Sequence, residues 1–176
     1  MTKFVIAHNW DGVALTQQDT ASIEVQWLQN GDLRIELDAP FANDPNPNCA
    51  KIACWDLWDF EVVELFLVGA GEPAPYTEIE ISPWGNHLVL QLLGTRNTIA
   101  KGLPLHIVSL ERGETRWNAQ AVISKKLLPK GELKVNAYRV SGVEPNRHYH
   151  VMTAMLGSVP DFHHIKQFER VLKRQY

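Results

Sequence analysis

The chain has 176 residues, 45% of them hydrophobic and 21% charged, with a net charge of −3. That is enough chain to bury a substantial core, and the composition is that of an ordinary globular protein. It carries no basic surplus of the kind that neutralises nucleic-acid phosphates and no apolar run near the ~20 residues of a membrane-spanning helix, so neither nucleic acid nor membrane is an expected partner.

Residues 3–7 (Lys-Phe-Val-Ile-Ala) read as a short strand. The run is too brief for the apolar region of a signal peptide, and a cytoplasmic location is expected. Trp10-Asp11-Gly12 marks a turn. Residues 22–28 alternate, with Ile23, Val25 and Trp27 on one side and Ser22, Glu24 and Gln26 on the other. Asn30-Gly31 then signals a hairpin with a type I′ turn, and residues 33–38 alternate back. A long loop over 40–54 holds three prolines and the only cysteines, Cys49 and Cys54. In a cytosolic chain this pair reads as two free thiols.

Residues 60–68 are apolar at nearly every position, the pattern of a strand buried on both faces. Residues 76–82 form the next strand, Ser82-Pro83-Trp84-Gly85 a turn, and 87–94 the returning strand. Weaker strands follow at 103–108 and 116–123. Ser124 caps a single turn over 125–128 that Pro129 stops, and further strands are expected at 132–140 and 148–155. In the tail, Phe162, Ile165, Phe168 and Leu172 have helical spacing, so a short C-terminal helix is expected between Asp161 and Lys173. About ten short strands with turn signals between them predict an all-β fold, an antiparallel two-sheet sandwich formed by residues 1–176 as one domain.

Several segments together resemble a known group: Trp10-Asp11-Gly12, the run from Leu57 to Leu67, the run from Tyr76 to Gly85, Trp117 with its strand, Val135 to Arg139, and Pro160-Asp161-Phe162-His163. They are similar to an uncharacterised protein family related to family-9 carbohydrate-binding modules and to the wider DOMON-like β-sandwiches. The resemblance implies a jelly-roll-like sandwich. By analogy it implies a carbohydrate or polyol ligand, here a small sugar or glycoconjugate, on the expectation that the chain is a free-standing domain without a signal peptide.

Carboxylates cost several kcal/mol to bury unpaired, so the acids within the apolar strands need a reason. Glu64 lies among Val63, Leu65 and Phe66. The family pattern suggests Arg139 as its partner, either in a structural ion pair or at the floor of a pocket. Glu78 and Glu80 are two apart on a strand and share a face with Tyr76, side chains roughly 7 Å apart. They read as a solvated face, as ligand contacts, or as a catalytic carboxylate pair. Trp84, in a turn, and Trp58 are candidate stacking platforms for a sugar ring, with core packing the other reading of Trp58. Trp117, aligned with Ala119 and Ala121, reads as core. The ligand-binding set is therefore Trp84, Tyr76, Glu78, Glu80, Arg139 and Trp58, with no catalytic residue assigned.

His148 and His150 share a strand face and, with His163 or His164, form a weak metal pattern. Met152 and Met155 leave no identifiable haem ligand pair, so no metal or cofactor is expected. There is no Gly-rich phosphate loop and no Gly-x-Ser-x-Gly elbow. Two other classes stay open: a small enzyme acting on a glycoside through the acidic pair, and a protein-interaction module using exposed aromatics.

Overall fold

Successive side chains of a strand point to opposite faces, so a strand with apolar residues at every second position buries one face, and one that is apolar throughout buries both. The computed structural model of this protein, which describes residues 1–49, 53–155, 157 and 159–173, uses both kinds. Thirteen strands occur among the described residues: β1 (Thr2–Ile6), β2 (His8–Asn9), β3 (Ala21–Trp27), β4 (Leu33–Pro40), β5 (Val62–Val68), β6 (Pro75–Ile81), β7 (His87–Leu93), β8 (Thr98–Lys101), β9 (His106–Arg112), β10 (Arg116–Ile123), β11 (Leu133–Ser141), β12 (His148–Val151) and β13 (Arg170–Leu172).

They form two antiparallel sheets. The five-stranded sheet has the order β1-β3-β4-β10-β9 and is of the alternating kind. Its inner face presents Ile23, Val25, Leu33, Ile35, Leu37 and Trp117, with Trp117 only 1% exposed. The eight-stranded sheet has the order β2-β12-β11-β5-β6-β7-β8, with β13 added beside the start of β11. Its inner face closes the sandwich with Val63, Leu65, Leu67, Ile79, Ile81, Val89 and Val135.

The outer face of the eight-stranded sheet is buried as well. Val62, Phe66, Val68, Tyr76, Leu88, Leu90, Tyr138 and Val140 build a second core there, covered by Trp10, Leu57, Ile165 and Phe168 from loops and the tail. This is why every residue from Val62 to Val68 is buried.

The hairpin at Asn30-Gly31 forms, but not through a type I′ turn. Gly31 alone takes a positive φ, +84°. Its N–H bonds the Leu28 carbonyl, and Asn30 instead exchanges side-chain bonds with Asp32. Cys49 and Cys54 are joined as a disulfide, with Cα atoms 5.6 Å apart, rather than standing as free thiols. Asn48, in the left-handed region at φ 51°, turns the chain back by donating its N–H to the Asn46 side chain. Residues 50–52 of that loop lie outside the described residues.

The expected C-terminal helix is absent from the described tail. A single 3₁₀ turn covers Ile165–Gln167, and Arg170–Leu172 pairs as a strand with Leu133–Val135. Among the described residues no helix is long and apolar enough to cross a membrane.

Candidate functional site

The outer face of the eight-stranded sheet carries three carboxylates as well as apolar residues. Glu64 on β5 stands directly opposite Glu80 on β6, and residues directly opposite share a face. Glu78 is two positions along from Glu80 and projects the same way. All three are buried, at 1%, 3% and 0% exposure for Glu64, Glu78 and Glu80. Among the described residues, no donor bonds Glu64 Oε1, Glu78 Oε2 or either Glu80 oxygen.

Burial is the largest influence on each group, and it favours the neutral acid. It pushes Glu78 up from 4.5 to about 8, against the pull of Arg96 and of the bond to Glu80. It holds Glu64 well above the usual carboxylate range, with repulsion from Glu78 adding to it and Arg147 opposing. Glu80 is raised in the same way, by burial and then by Glu64, Glu78, Asp59 and Asp56.

A cavity of about 340 Å³ opens above this floor, near the lower end of the roughly 300–1,000 Å³ range of small-molecule sites. Glu64, Glu78, Leu90, Leu92 and Val140 form its base, and Trp55, Trp58, Asp59, Arg147, Tyr149, Phe162 and His163 its walls.

One wall begins where the disulfide ends. The Cys54 N–H bonds the His87 carbonyl, docking the loop against β7. Asp56 then takes a left-handed conformation, and a 3₁₀ turn over Leu57–Asp59 buries Leu57 while leaving the indoles free. The Trp55 and Trp58 rings meet edge to face at 5.1 Å, and the Lys101 ammonium caps the Trp55 ring at 4.3 Å. Arg147 fixes this turn from below. Its guanidinium donates to the carbonyls of Trp58 (2.5 Å), Asp59 (2.7 Å), Phe60 (3.3 Å) and Gly142 (3.0 Å).

The tail supplies the opposite wall. Phe162 stacks flat on Tyr138, centroids 3.9 Å apart. The Tyr76 hydroxyl accepts from the Arg96 backbone N–H at 3.2 Å and is hydrogen-bonded to His163 Nδ1 at 2.7 Å. The His163 pKa is driven down to about 4 by burial and by Arg96. Arg96 pairs with Asp161 at 2.8 Å. Asp161 also accepts the His163 N–H and meets His164 at 3.1 Å.

Trp58 and Glu78 line the cavity, and Tyr76 and Glu80 lie on the same sheet face, buried around its base. Neither acid is solvated. Trp84 lies elsewhere. It packs against Phe41 at 6.0 Å and under the Arg112 guanidinium at 4.2 Å. Arg139 also lies elsewhere, and the expected Glu64–Arg139 pair does not form. Arg139 stands opposite Val63, one position from the Tyr138–Glu64 pair, so alternation turns it to the other face of the sheet. There it meets Glu61 at 3.8 Å and donates to His150 Nδ1 at 3.1 Å.

His150 thus serves Arg139 while His163 serves Tyr76. Among the described residues no group of three or more His, Cys, Asp or Glu is placed to hold a metal ion. Met152 and Met155 are buried in the two separate cores.

Trp55, Arg96, Arg147 and Tyr149 are site residues that the strand pattern does not reveal. For Trp55 a signal exists in the Trp-x-x-Trp spacing with Trp58, whereas an arginine between two strands carries none. In the Asp161-Phe162-His163 segment the Asp161 side chain accepts the His163 N–H, and Phe162 and His163 form part of the wall.

No family model matches the chain. The UPF0462 protein C4orf33 of Homo sapiens is 32% identical over 176 residues, covering 94% of this chain and 85% of that protein. The UPF0462 protein C4orf33 homolog of Danio rerio is 31% identical, with coverage of 94% and 86%. Among solved structures, a candidate carbohydrate-binding protein from Bacteroides uniformis ATCC 8492 superposes with a TM-score of 0.71 at 14% identity, over 98% of this chain and 86% of that one. At that identity the likeness is one of fold.

Proposed function

The chain belongs to the UPF0462 family, and we propose that it binds a carbohydrate or similar polyol in the cavity on the outer face of the eight-stranded sheet. One observation carries this reading: buried carboxyl oxygens with no internal donor form the floor of a cavity walled by indoles. An unmet buried acceptor is costly, and sugar hydroxyls are donors of the right size to meet it. The apolar C–H face of a sugar ring stacks on an indole while its hydroxyls reach the floor. The fold shared with the Bacteroides uniformis protein and the resemblance to family-9 carbohydrate-binding modules support the same ligand class.

Binding accounts for the acids better than catalysis does. Acid–base cleavage of a glycoside uses carboxyls whose environments push their pKa values apart, one protonated and one ionised. Here burial pushes Glu64, Glu78 and Glu80 the same way.

The test is a small-sugar and glycan screen on the wild type beside Trp58→Ala, Glu78→Gln and Trp84→Ala. Binding lost in the first two and kept in the third is the expected result. Binding lost only in Trp84→Ala places the ligand elsewhere and overturns the reading, as does a blank for every sugar. Hydrolysis of a bound glycoside, abolished by Glu78→Gln, would replace it with the enzyme reading.

A further inference from the structure

We infer that the occupant of this cavity carries a cationic amine, as an amino sugar does, with its ammonium seated on Glu64 and Glu78 over Glu80. The inference rests on the carbohydrate-binding reading and narrows it to one class of sugar.

The argument begins with what the molecule leaves unmet. A hydroxyl brings one donor and no charge. Two carboxyl groups, Glu64 and Glu78, line the cavity, each with a buried oxygen that meets no donor among the described residues, and Glu80 lies behind them with neither oxygen met. An ammonium brings three donors and a full positive charge to one point. A charge-assisted bond is also about twice as strong as a neutral one.

The second step is that, among the described residues, no cationic side chain forms an ion pair or hydrogen bond with Glu64 or Glu78, although Arg147 and Arg96 act on them from the walls. Both arginines at the cavity are engaged elsewhere. Arg147 spends its donors on four backbone carbonyls, and Arg96 is paired with Asp161 with its side chain 59% exposed. Among the described residues no lysine lines the cavity; Lys101 sits over the Trp55 ring. Asp59 adds a further carboxylate to the wall.

The third step is the wall itself. Trp55 and Trp58, edge to face with each other, line the same cavity as the acids, and indoles attract cations, as Lys101 over the Trp55 ring already shows. Acids below and aromatic rings beside them suit a small organic ammonium better than an anion. For the same reason a uronic acid should be excluded, since its carboxylate would meet carboxyl groups below and, at the walls, guanidiniums already engaged with Asp161 and with backbone carbonyls.

Calorimetry with matched ligands tests this: glucose, galactose and mannose, each as the parent hexose, the 2-amino-2-deoxy sugar and its N-acetyl form, with glucuronate as the opposite charge. N-acetylation removes the charge and keeps the ring. At least one amino sugar should bind roughly ten-fold or more tighter than both its neutral counterparts. Glu64→Gln and Glu78→Gln, which keep shape and remove the ionisable carboxyl that would pair with an ammonium, should each erase the preference. Equal binding of neutral and amino sugars, or a preference for glucuronate, overturns the inference and leaves the carbohydrate reading standing. A preference that survives both substitutions also overturns it. Binding of no sugar at all overturns both.

Discussion

Arg139 and Glu61 face each other at 3.8 Å inside the molecule, yet burial works against both charges. It lowers the Arg139 pKa despite Glu61 and Asp44. It raises that of Glu61 despite the Ala42 N–H and Arg139. Such a pair is hard to break and cheap to replace whole. Arg139→Ala should cost about 3–5 kcal/mol by urea denaturation, and adding Glu61→Gln should restore part of it. The floor acids give the opposite sign. Glu78 is raised from 4.5 to about 8, so its favourable contribution is complete below the lower value and lost as pH rises through the upper. His150 and His163 fall from 6.5 to about 4, and their contributions disappear as pH drops across that range. From 6.5 to about 8 the histidines have finished titrating and the acids set the slope. The melting temperature should therefore fall across that window. Glu80→Gln should flatten the fall and add roughly 1–3 kcal/mol at its upper end. The sequence shows that Glu64, Glu78 and Glu80 sit in strands, and alternation alone puts Glu78 and Glu80 together. It does not show that Glu64 joins them, because the cross-strand register that does so is not written in either strand.

The turn over Leu57–Asp59 is only three residues long, too short to hold two indoles in place by its own bonds. Its position depends on Arg147, which reaches it from the connection between β11 and β12. Arg147→Ala should reduce stability by about 1–3 kcal/mol and weaken sugar binding as well, while Arg147→Lys should fail to restore either. A lysine has three donors at one point and cannot span the carbonyls that a planar guanidinium bridges. Melting curves and titration with the sugar found in the screen measure the two effects. The tail shows how a sequence pattern can point to the wrong element. Phe162, Ile165 and Phe168 are each three apart, and that interval fits one face of a 3₁₀ turn as well as it fits a helix. Leu172, which seemed to extend a helix, pairs with Leu133 in a strand instead.

At the scale of the whole molecule, the two-sheet plan was legible because burial imposes alternation on one sheet and continuous apolarity on part of the other. Ala21–Trp27 and Leu33–Pro40 show the first, Val62–Val68 the second. What covers the outer face of the second sheet was not legible. The cover is drawn from Trp10, from Leu57 and from the tail residues Phe162, Ile165 and Phe168, three segments far apart in the chain that no common period links. The cavity lies within that cover, so its walls were as hidden as the cover itself. Trp84, conspicuous in its turn, belongs to a different patch with Phe41 and Arg112.

Because the eight-stranded sheet is covered on both faces, the floor and walls of the cavity should live on different clocks. Amide protons of β5 and β6, in the middle of that sheet, are shielded above and below and paired on either side. They should exchange with deuterium only when the whole molecule opens. Amides of residues 53–60 and 142–147 belong to connections and should exchange in brief local excursions. A bound sugar should then slow the second set strongly and protect the first only as far as it stabilises the whole fold. Deuterium uptake read segment by segment would thus show a recognition surface whose chemistry is anchored in its most persistent region and whose access is governed by its least persistent one.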